Sequence, residues 1–500
     1  AMARVSRSQS DPRGIWLEEF SEDGLARTED LIERVVSGYG DDSVQQLVSV
    51  QFVMSRISNL LTKIVEWPRI GMAYLEQSTR YIYFDKKDDD GKWQYYVPTN
   101  LPPDLLAAYV ERLDHIFELY SKVVRRMNDH FLATKAGQKG DTPDAQWRAA
   151  IKAQACDAAR QMLPVATRST VAFAGNAQSL ENLIMHLRSY PLAEAQTLAD
   201  ALIEEARKLP YLAPFLQRVD RPDRGLGTSA YRRETRDGLR SLVKDLLTGG
   251  PINDPRKMID TGSTQHVKLI DHDPHSEDEL LAWIMFPDAD GYGLGSLIEH
   301  ARYMTDIDKA LVFQAAIGER MNRRHKPGRS FERAHFWWEI LDEYATYRDL
   351  QRHRMVDAWE WQRLTANYGF TVPSSITEAG VDIERMYREA FELSAELYEM
   401  MLSAGYEDEA QYATLLGHRM RYSFGTNLRE LYHMLELRTQ PAGHPGYRAI
   451  CNEMYRLLCD VFPTLGAGMN FINTTGESDE LTRLAGERAT AMKLGLLKSP

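Results

Sequence analysis

Two short stretches hold side chains whose types and spacing could do chemistry. In Glu76-Gln-Ser-Thr-Arg80-Tyr81 an acid, a hydroxyl and a guanidinium alternate at two-residue spacing. An extended segment with that spacing puts Glu76, Ser78 and Arg80 on one side. There a carboxylate can accept from an imide N–H, while the hydroxyl and the arginine can bind carbonyl or phosphate oxygens. The same triplet equally suits a solvated surface. The second stretch, Arg348-Asp-Leu-Gln-Arg352-His353-Arg354, closes a Trp/Tyr-rich segment and is followed by Glu360. Pointed inward, two arginines around a histidine cradle a polyanion, each charge-assisted bond contributing ~1.5–3 kcal/mol. Pointed outward, they serve solubility. Upstream, Arg320, Arg323, Arg324, His325, Lys326 and Arg329 form the densest basic cluster of the chain, a local excess that suits an anionic ligand.

These groups sit in a chain of 500 residues carrying 60 Lys+Arg against 72 Asp+Glu, a net charge of −12. Such a balance opposes non-specific binding to a nucleic-acid backbone, so any nucleotide must be held by a local basic pocket. No uncharged apolar run approaches the ~18 residues of a membrane span, and the first residues are polar and basic without an apolar core, which leads us to expect a cytoplasmic protein with no membrane partner. The three cysteines, Cys156, Cys451 and Cys459, include no Cys-x-x-Cys pair, so neither a disulfide framework nor a zinc knuckle is expected. His272 and His275 lie in an acidic run with Pro274 that reads as a connector rather than a metal site. Glycine-rich dinucleotide loops, P-loops, His-Glu-x-x-His and nucleophile-elbow motifs are absent.

Helix must do most of the positioning. Apolar residues recur at steps of three and four over 28–38, 44–66, 103–130, 146–163, 177–188, 193–208, 279–286, 306–323, 333–350, 382–404, 427–438 and 446–461. Strand candidates are few: Tyr81–Phe84, Gln94–Val97 and Val267–Ile270, the first two bracketing a loop with Asp-Gly in its turn region. Between about 219 and 266 Pro, Gly, Asp and Ser punctuate the chain as in a linker. The halves on either side look related. Asn176, Leu180, Leu183, Leu187 and Arg188 stand beside Asn427, Leu431, Met434, Leu437 and Arg438, each Asn suited to cap a helix. Gly38-Tyr39-Gly40 has a similar counterpart in Gly291-Tyr292-Gly293.

At these residues the sequence resembles the flavin-dependent thymidylate synthases. That family carries Arg-His-Arg followed at short intervals by a Glu, a Ser and an Arg. Arg352-His353-Arg354 matches the opening and Glu360 falls where the Glu stands, but Gln362 and Leu364 replace the closing Ser and Arg. In the first half Glu76, Ser78 and Arg80 match the closing part, whereas Trp67-Pro68-Arg69 stands where Arg-His-Arg should be. Ala159-Arg160-Gln-Met-Leu163-Pro164 resembles the family's Ala-Arg-x-x-Leu-Pro segment, with Gln411 at that place in the second half. Asn427 and Arg438 match later flavin- and substrate-contacting positions, Asn176 and Asn182 fit in the first half, and Tyr39-Gly40-Asp41-Asp42-Ser43-Val44 resembles a flavin-associated segment with Asp41 in place of a His.

The resemblance implies an α/β fold: an α-rich tandem repeat of the flavin-dependent thymidylate synthase fold, with small, mainly antiparallel sheets flanked by long helices. It implies halves at 1–220 and 267–500 joined by a linker at 221–266. One composite site per chain would be built from both halves, and a homodimer would imitate the family's tetramer. Arg80, Arg160 and Arg438 would hold a dUMP-like nucleotide, with Glu76 and Ser78 near the pyrimidine; the catalytic residues would be Ser78, Glu76 and Arg438. Arg352, His353 and Arg354 would face FAD, with Asn427, Asn176 and Asn182 as further flavin contacts. The implied reaction methylates dUMP to dTMP with methylenetetrahydrofolate and NADPH as co-substrates, without a cysteine. Rival readings are a flavoprotein modifying another pyrimidine nucleotide, for instance by hydroxymethylation, and a non-catalytic assembly protein.

Overall fold

In the first half, strand β1 (Ser49–Ser58) runs straight into helix α1 (Asn59–Glu66), and a short strand β2 (Met72–Glu76) follows. Then come the long α2 (Pro103–Thr134), α3 (Asp144–Ala159), β3 (Arg168–Asn176), α4 (Ala177–Ser189) and α5 (Ala193–Arg207). After helix α6 (Gly225–Thr248) and strand β4 (His266–Asp273) the second half repeats this order without a counterpart of α3. It has β5 (His335–Glu343), α7 (Tyr344–Leu350), β6 (Val356–Trp361), α8 (Val381–Ser403), β7 (Arg419–Asn427), α9 (Leu428–Arg438) and α10 (Pro445–Val461). These elements come from a computed structural model, which describes residues 9–19, 42–248, 266–475, 481, 484, 486 and 488. The first sheet has strand order β1-β3-β2 and the second β4-β5-β7-β6, all pairs antiparallel, so β5-β7-β6 reproduces the first sheet. The tandem repeat is therefore a repeat of topology as well as of sequence.

Local chemistry accounts for the elements. Ser58 caps α1 by accepting from the Leu61 N–H at 3.0 Å, and Asn176 and Asn427 cap α4 and α9 alike, each accepting an N–H three residues on at 2.9 Å. Two segments differ from expectation. Residues 44–66 and 333–350, predicted as single helices, are each a strand followed by a short helix. Val50, Phe52 and Met54, like Phe336, Trp338 and Ile340, alternate with period two, and burial of one sheet face selects that period. The predicted hairpin is also replaced: Tyr81–Phe84 is irregular, and Tyr95 makes an isolated antiparallel bridge to Thr167. Within the predicted linker, Gly225–Thr248 is helical rather than loop, while 249–265 lie outside the described residues, as do 28–38 and Tyr39–Asp41. No described helix is long and apolar enough to cross a membrane.

The halves share one hydrophobic core, in which α2 packs against α8. Backbone bonds cross between them where Val165 donates to Thr414 (2.8 Å) and Leu416 to Leu163 (2.9 Å). At the joint between α1 and α7, Tyr344 donates its hydroxyl to the Asn59 carbonyl at 2.8 Å and Gln351 donates to the Lys63 carbonyl at 3.1 Å. Buried Glu194 accepts from the Ser58 N–H (2.7 Å), the Ser58 hydroxyl (2.6 Å) and the Tyr412 hydroxyl (2.8 Å), tying the halves through a charged acceptor. Tyr412→Phe removes one of these bonds with little change of shape. It is expected to cost about 1.5–3 kcal/mol, read as a lower urea midpoint at unchanged slope.

Candidate functional site

Glu76, at the end of β2, is the most enclosed of the predicted site residues that carry charge. Arg348 on α7 of the other half donates to its Oε1 at 2.6 Å, Lys63 on α1 to its Oε2 at 2.8 Å, and Thr62 to Oε1 at 3.0 Å. The Glu76 and Arg348 side chains are 1% and 5% exposed. Burial, the largest influence, would raise the Glu76 pKa, but Arg348 and then Lys63 outweigh it and hold the carboxyl far below the ordinary range. Glu76 therefore stays an ionised acceptor and gives up no proton near neutral pH. Lys63 and Arg348 follow the ends of β1 and β5 by the same interval, so equivalent positions of the two halves converge on one carboxylate.

Around this pair lies a second shell of arginines. Arg160, at the foot of α3, contacts Asp349 at 3.3 Å. The Asp349 carboxyl, which burial alone would raise, is held far below its usual pKa by Arg160, Arg352, Arg80 and Arg438, in falling order. Asp349 is thus a common neighbour of arginines from both halves. Arg80 is held by Asp157 through two bonds of 2.7 Å, leaving the remaining donors of its five-donor fork unspent. Arg438 donates from Nε to His353 Nε2 at 3.0 Å, and His353 Nδ1 faces Glu430 at 2.8 Å. Since Nε2 accepts, the proton is on Nδ1 and the ring is neutral; burial pushes its pKa down to about 4. The buried Nε atoms of Arg160 and Arg348 have no hydrogen-bond partner among the described residues. A half-exposed Arg352, 3.7 Å from Glu76, together with the Arg160 donor, fits a ligand rich in phosphate or carbonyl oxygens.

The structure thus brings Glu76, Arg80, Arg160, Arg352, His353 and Arg438 into one cluster, with Ser78 beside it accepting the Arg80 N–H at 3.2 Å. Asn427 joins indirectly, as the cap of the helix that carries Glu430. Asn176 and Asn182 are not part of the cluster. Asn176 lies past the far end of the β2/β3 ladder, where Met72 pairs with Gly175; Glu76 pairs with Val171, five residues back along β3, about 16 Å away at ~3.3 Å per residue. Both asparagines line a separate cleft. The Arg354 side chain is exposed, and its carbonyl accepts from Arg69 at 3.0 Å. His353 is saturated by protein partners and acts on Arg438 rather than facing open space. Arg320 of the basic cluster turns inward onto Glu436 (2.5 and 2.6 Å), and Arg329 pairs with Glu332 at 3.0 Å.

Glu360 does not repeat Glu76. The β6 register shifts between Asp357 and Glu360, with Ala358 at φ 44°, so Glu360 pairs with Ser423 and Trp361 with Tyr422. In the first sheet Glu76 pairs with Val171, the counterpart of Tyr422, so Trp361 holds the equivalent position. One extra residue has reversed the faces of the strand's end. Sequence reading gave no role to Lys63, Asp157, Arg348, Asp349 or Glu430, although Arg348 and Asp349 open one of the two stretches it singled out. The only local signal was the helical three-residue spacing of Asp157 from Arg160 and of Asp349 from Arg352. His353, Glu430 and His433 also offer three ligand atoms within 4.8 Å of one another. Both His353 nitrogens are engaged, however, and the adjacent Arg438 guanidinium opposes a cation.

Three buried histidines and the partly buried His186 give the fold a pH dependence. Burial, the largest influence on each, pushes His353 and His186 down to about 4, and His418 and His444 to about 3, from an ordinary 6.5. The unfolded chain binds more protons below 6.5, so their contribution is complete above that pH and is lost as the pH falls toward 4. Each should cost about 2 kcal/mol at pH 5 relative to pH 7.5. Glu343, raised by burial and then by Asp342, works in the opposite direction and offsets part of the loss. Urea midpoints should fall from pH 7.5 to pH 5, and by less in His418→Asn; an unchanged midpoint would contradict these environments.

Comparison with known proteins agrees with this architecture. A UPF0159 protein of Thermoplasma acidophilum is 29% identical over 99% of this chain and 98% of its own length. Another, of Chlamydia muridarum, is 29% identical over 94% of this chain and 89% of its own. A flavin-dependent thymidylate synthase of Clostridium tetani is 24% identical over 212 residues, 42% of this chain and 77% of that protein. Among solved structures, the UMP/dUMP methylase PolB from Streptomyces cacaoi bound with 5-Br dUMP has a TM-score of 0.33 at 20% identity, over 42% of this chain and 96% of that one. The sequence profile described as thymidylate synthase complementing protein matches residues 1–210 and 269–464, one segment on each repeated half. The chain belongs to the thymidylate synthase complementing protein family.

Proposed function

We propose that this chain is a flavin-dependent thymidylate synthase-like enzyme that methylates dUMP to dTMP at a composite site. Residues 1–220 supply the nucleotide side, residues 267–500 supply the flavin side, and 221–266 connect them. Methylenetetrahydrofolate is the carbon donor, NADPH the reductant, and the working form a homodimer. The observation that carries the reading is the gathering of Arg80 and Arg160 with Arg352 and Arg438 around Asp349. Against these four guanidiniums stand Asp349, which Arg160 contacts, and Asp157, which holds Arg80, so positive charge is left in surplus where an anionic nucleotide would bind. Kinship with the Clostridium tetani flavin-dependent thymidylate synthase supports the choice of cofactor.

Each residue then has a physical task. Arg80, fixed by Asp157, and Arg160, with its free Nε, hold the nucleotide phosphate. Glu76 remains an anion and sets the positions of Arg348 and Arg352; it acts by its field and as an acceptor, not as an acid. Ser78 offers its hydroxyl to the pyrimidine. His353 accepts from Nε of Arg438 and so aims that guanidinium's terminal nitrogens at the pyrimidine oxygens. Arg352 and Arg354 face the flavin side, with Asn427 behind them. FAD held there would supply the hydride chemistry, and the protein orientation and electrostatics.

The test is a visible spectrum of the purified protein with flavin counted per chain, followed by a dUMP titration and an assay of dTMP formation. One FAD per chain is expected. Arg352→Ala should lower flavin retention more than dUMP affinity, and Arg80→Ala should weaken dUMP about ten- to a hundredfold with flavin retained. Equal effects of both changes on both ligands would defeat the division of labour. A different methylated or hydroxymethylated nucleotide as product would defeat the proposed reaction.

A further inference from the structure

Beyond the far end of β2 the two halves enclose a second cleft, about 990 Å³ in volume, within the range of small-molecule sites. It lies where the repeat would put a second copy of the arginine cluster, but the groups differ. Trp67 and Pro68 stand in place of Arg352 and His353, and Gln411 and Leu187 in place of Arg160 and Arg438. The apparatus gathered around Glu76 is therefore missing. Cations line the cleft all the same: Arg69, Arg232, Arg236, Arg240 and Arg363, against the single carboxylate of Glu360.

Three of these arginines are set on α6 at four-residue spacing, a row about 12 Å long at 1.5 Å per residue. Helix α6 spans 225–248 and falls between the matched segments, 1–210 and 269–464. The row was thus added by the connecting segment rather than inherited from either half. Several of the guanidiniums are already neutralised. Arg240 is held by Asp408 at 2.9 Å, Arg363 by Glu407 at 2.8 Å, and Arg236 by Asp237 and the Ser189 carbonyl. Two are not. Arg69 donates only to the carbonyls of Arg354 and Val356 among the described residues and makes no ion pair there, although Asp357 offsets part of its burial. Arg232 is partly buried and has no hydrogen bond or ion pair among them; burial pushes its pKa down and no carboxylate restores it. A partly desolvated cation without a counterion is costly unless a ligand supplies one.

The remaining walls are flat and apolar. Trp67 stacks on His186 with ring centroids 4.9 Å apart and planes 14° apart. Trp361, brought to this face by the β6 bulge, and Tyr190 complete the aromatic lining. We propose that this cleft is a second, non-catalytic binding site for a phosphorylated ligand with a planar ring, of the nucleotide class. The phosphates bind Arg232 and Arg69, and the ring lies against Trp67 and Trp361. The proposal stands on this cleft alone and does not rest on the reaction assigned to the composite site.

Calorimetric titration of the full chain tests it, with ATP and inorganic triphosphate as probes. ATP should bind, and triphosphate should bind more weakly for lack of the ring. Arg232→Glu should weaken ATP about tenfold or more, Arg232→Gln should act in the same direction, and Arg232→Lys should retain most of the affinity. Arg80→Ala, in the other cluster, should leave this affinity unchanged. The proposal is overturned by no ATP binding at millimolar concentration, by equal affinity in wild type and the Arg232→Glu and Arg232→Gln variants, or by a loss in Arg80→Ala as large as that in Arg232→Glu. Triphosphate binding as tightly as ATP would remove the ring from the assignment.

Discussion

Glu76 is buried and ionised, so it must be paired, and everything around it follows from that. Removing one partner from such a buried pair leaves an uncompensated charge, a loss usually of ~3–5 kcal/mol. Arg348 therefore has to reach it from the other half, across 272 residues of sequence, at 2.6 Å. The ends of α1 and α7 must lie side by side for that contact to form, and the Tyr344–Asn59 and Gln351–Lys63 bonds hold them there. With the two helices fixed, Asp349 is carried to Arg160 and Arg352 is carried to the mouth of the cluster. The charge pair is thus at once the joint between the halves and the frame of the candidate site.

Duplication explains why the two clefts are unlike. A symmetric pair of sites would need Lys63 and Arg348 each to serve its own carboxylate. Here both serve Glu76, because Trp361 occupies the corresponding place in the second sheet. The change needs only one additional residue in β6, since a strand's side chains alternate and a single insertion exchanges its faces. With Trp361 in the acid's place, the second cleft keeps only Glu360, one residue out of register. Trp67 and Pro68 stand where the other cleft has Arg352 and His353, and arginines of α6 line the space instead.

Much of this was legible in the sequence because much of it is local. The long helices α2, α8 and α10 follow from apolar spacing, and the helix-opening asparagines from their position before an apolar stripe. The complementary halves of the Arg-His-Arg motif pointed to a cluster spanning both halves, and Arg80 and Arg352 do share Asp349 as a neighbour. What stayed hidden is what depends on partners far along the chain. Val50–Met54 and Phe336–Ile340 suit helix spacing nearly as well as strand alternation until a sheet face is buried. Lys63 and Arg348 look like surface charges until the carboxylate between them is located. The β6 bulge, which turned Glu360 away from the place its motif suggested, depends on a ladder that no single segment reveals.

The span of the Glu76–Arg348 contact also bears on how the polypeptide acquires its shape during synthesis. Arg348 is made 272 residues after Glu76, and until then Glu76 has only Lys63 and Thr62 of these partners for company. Closing so large a loop is slow, and an unfinished interface exposes apolar surface while it waits. The joint that organises the mature molecule thus cannot form within the first half alone.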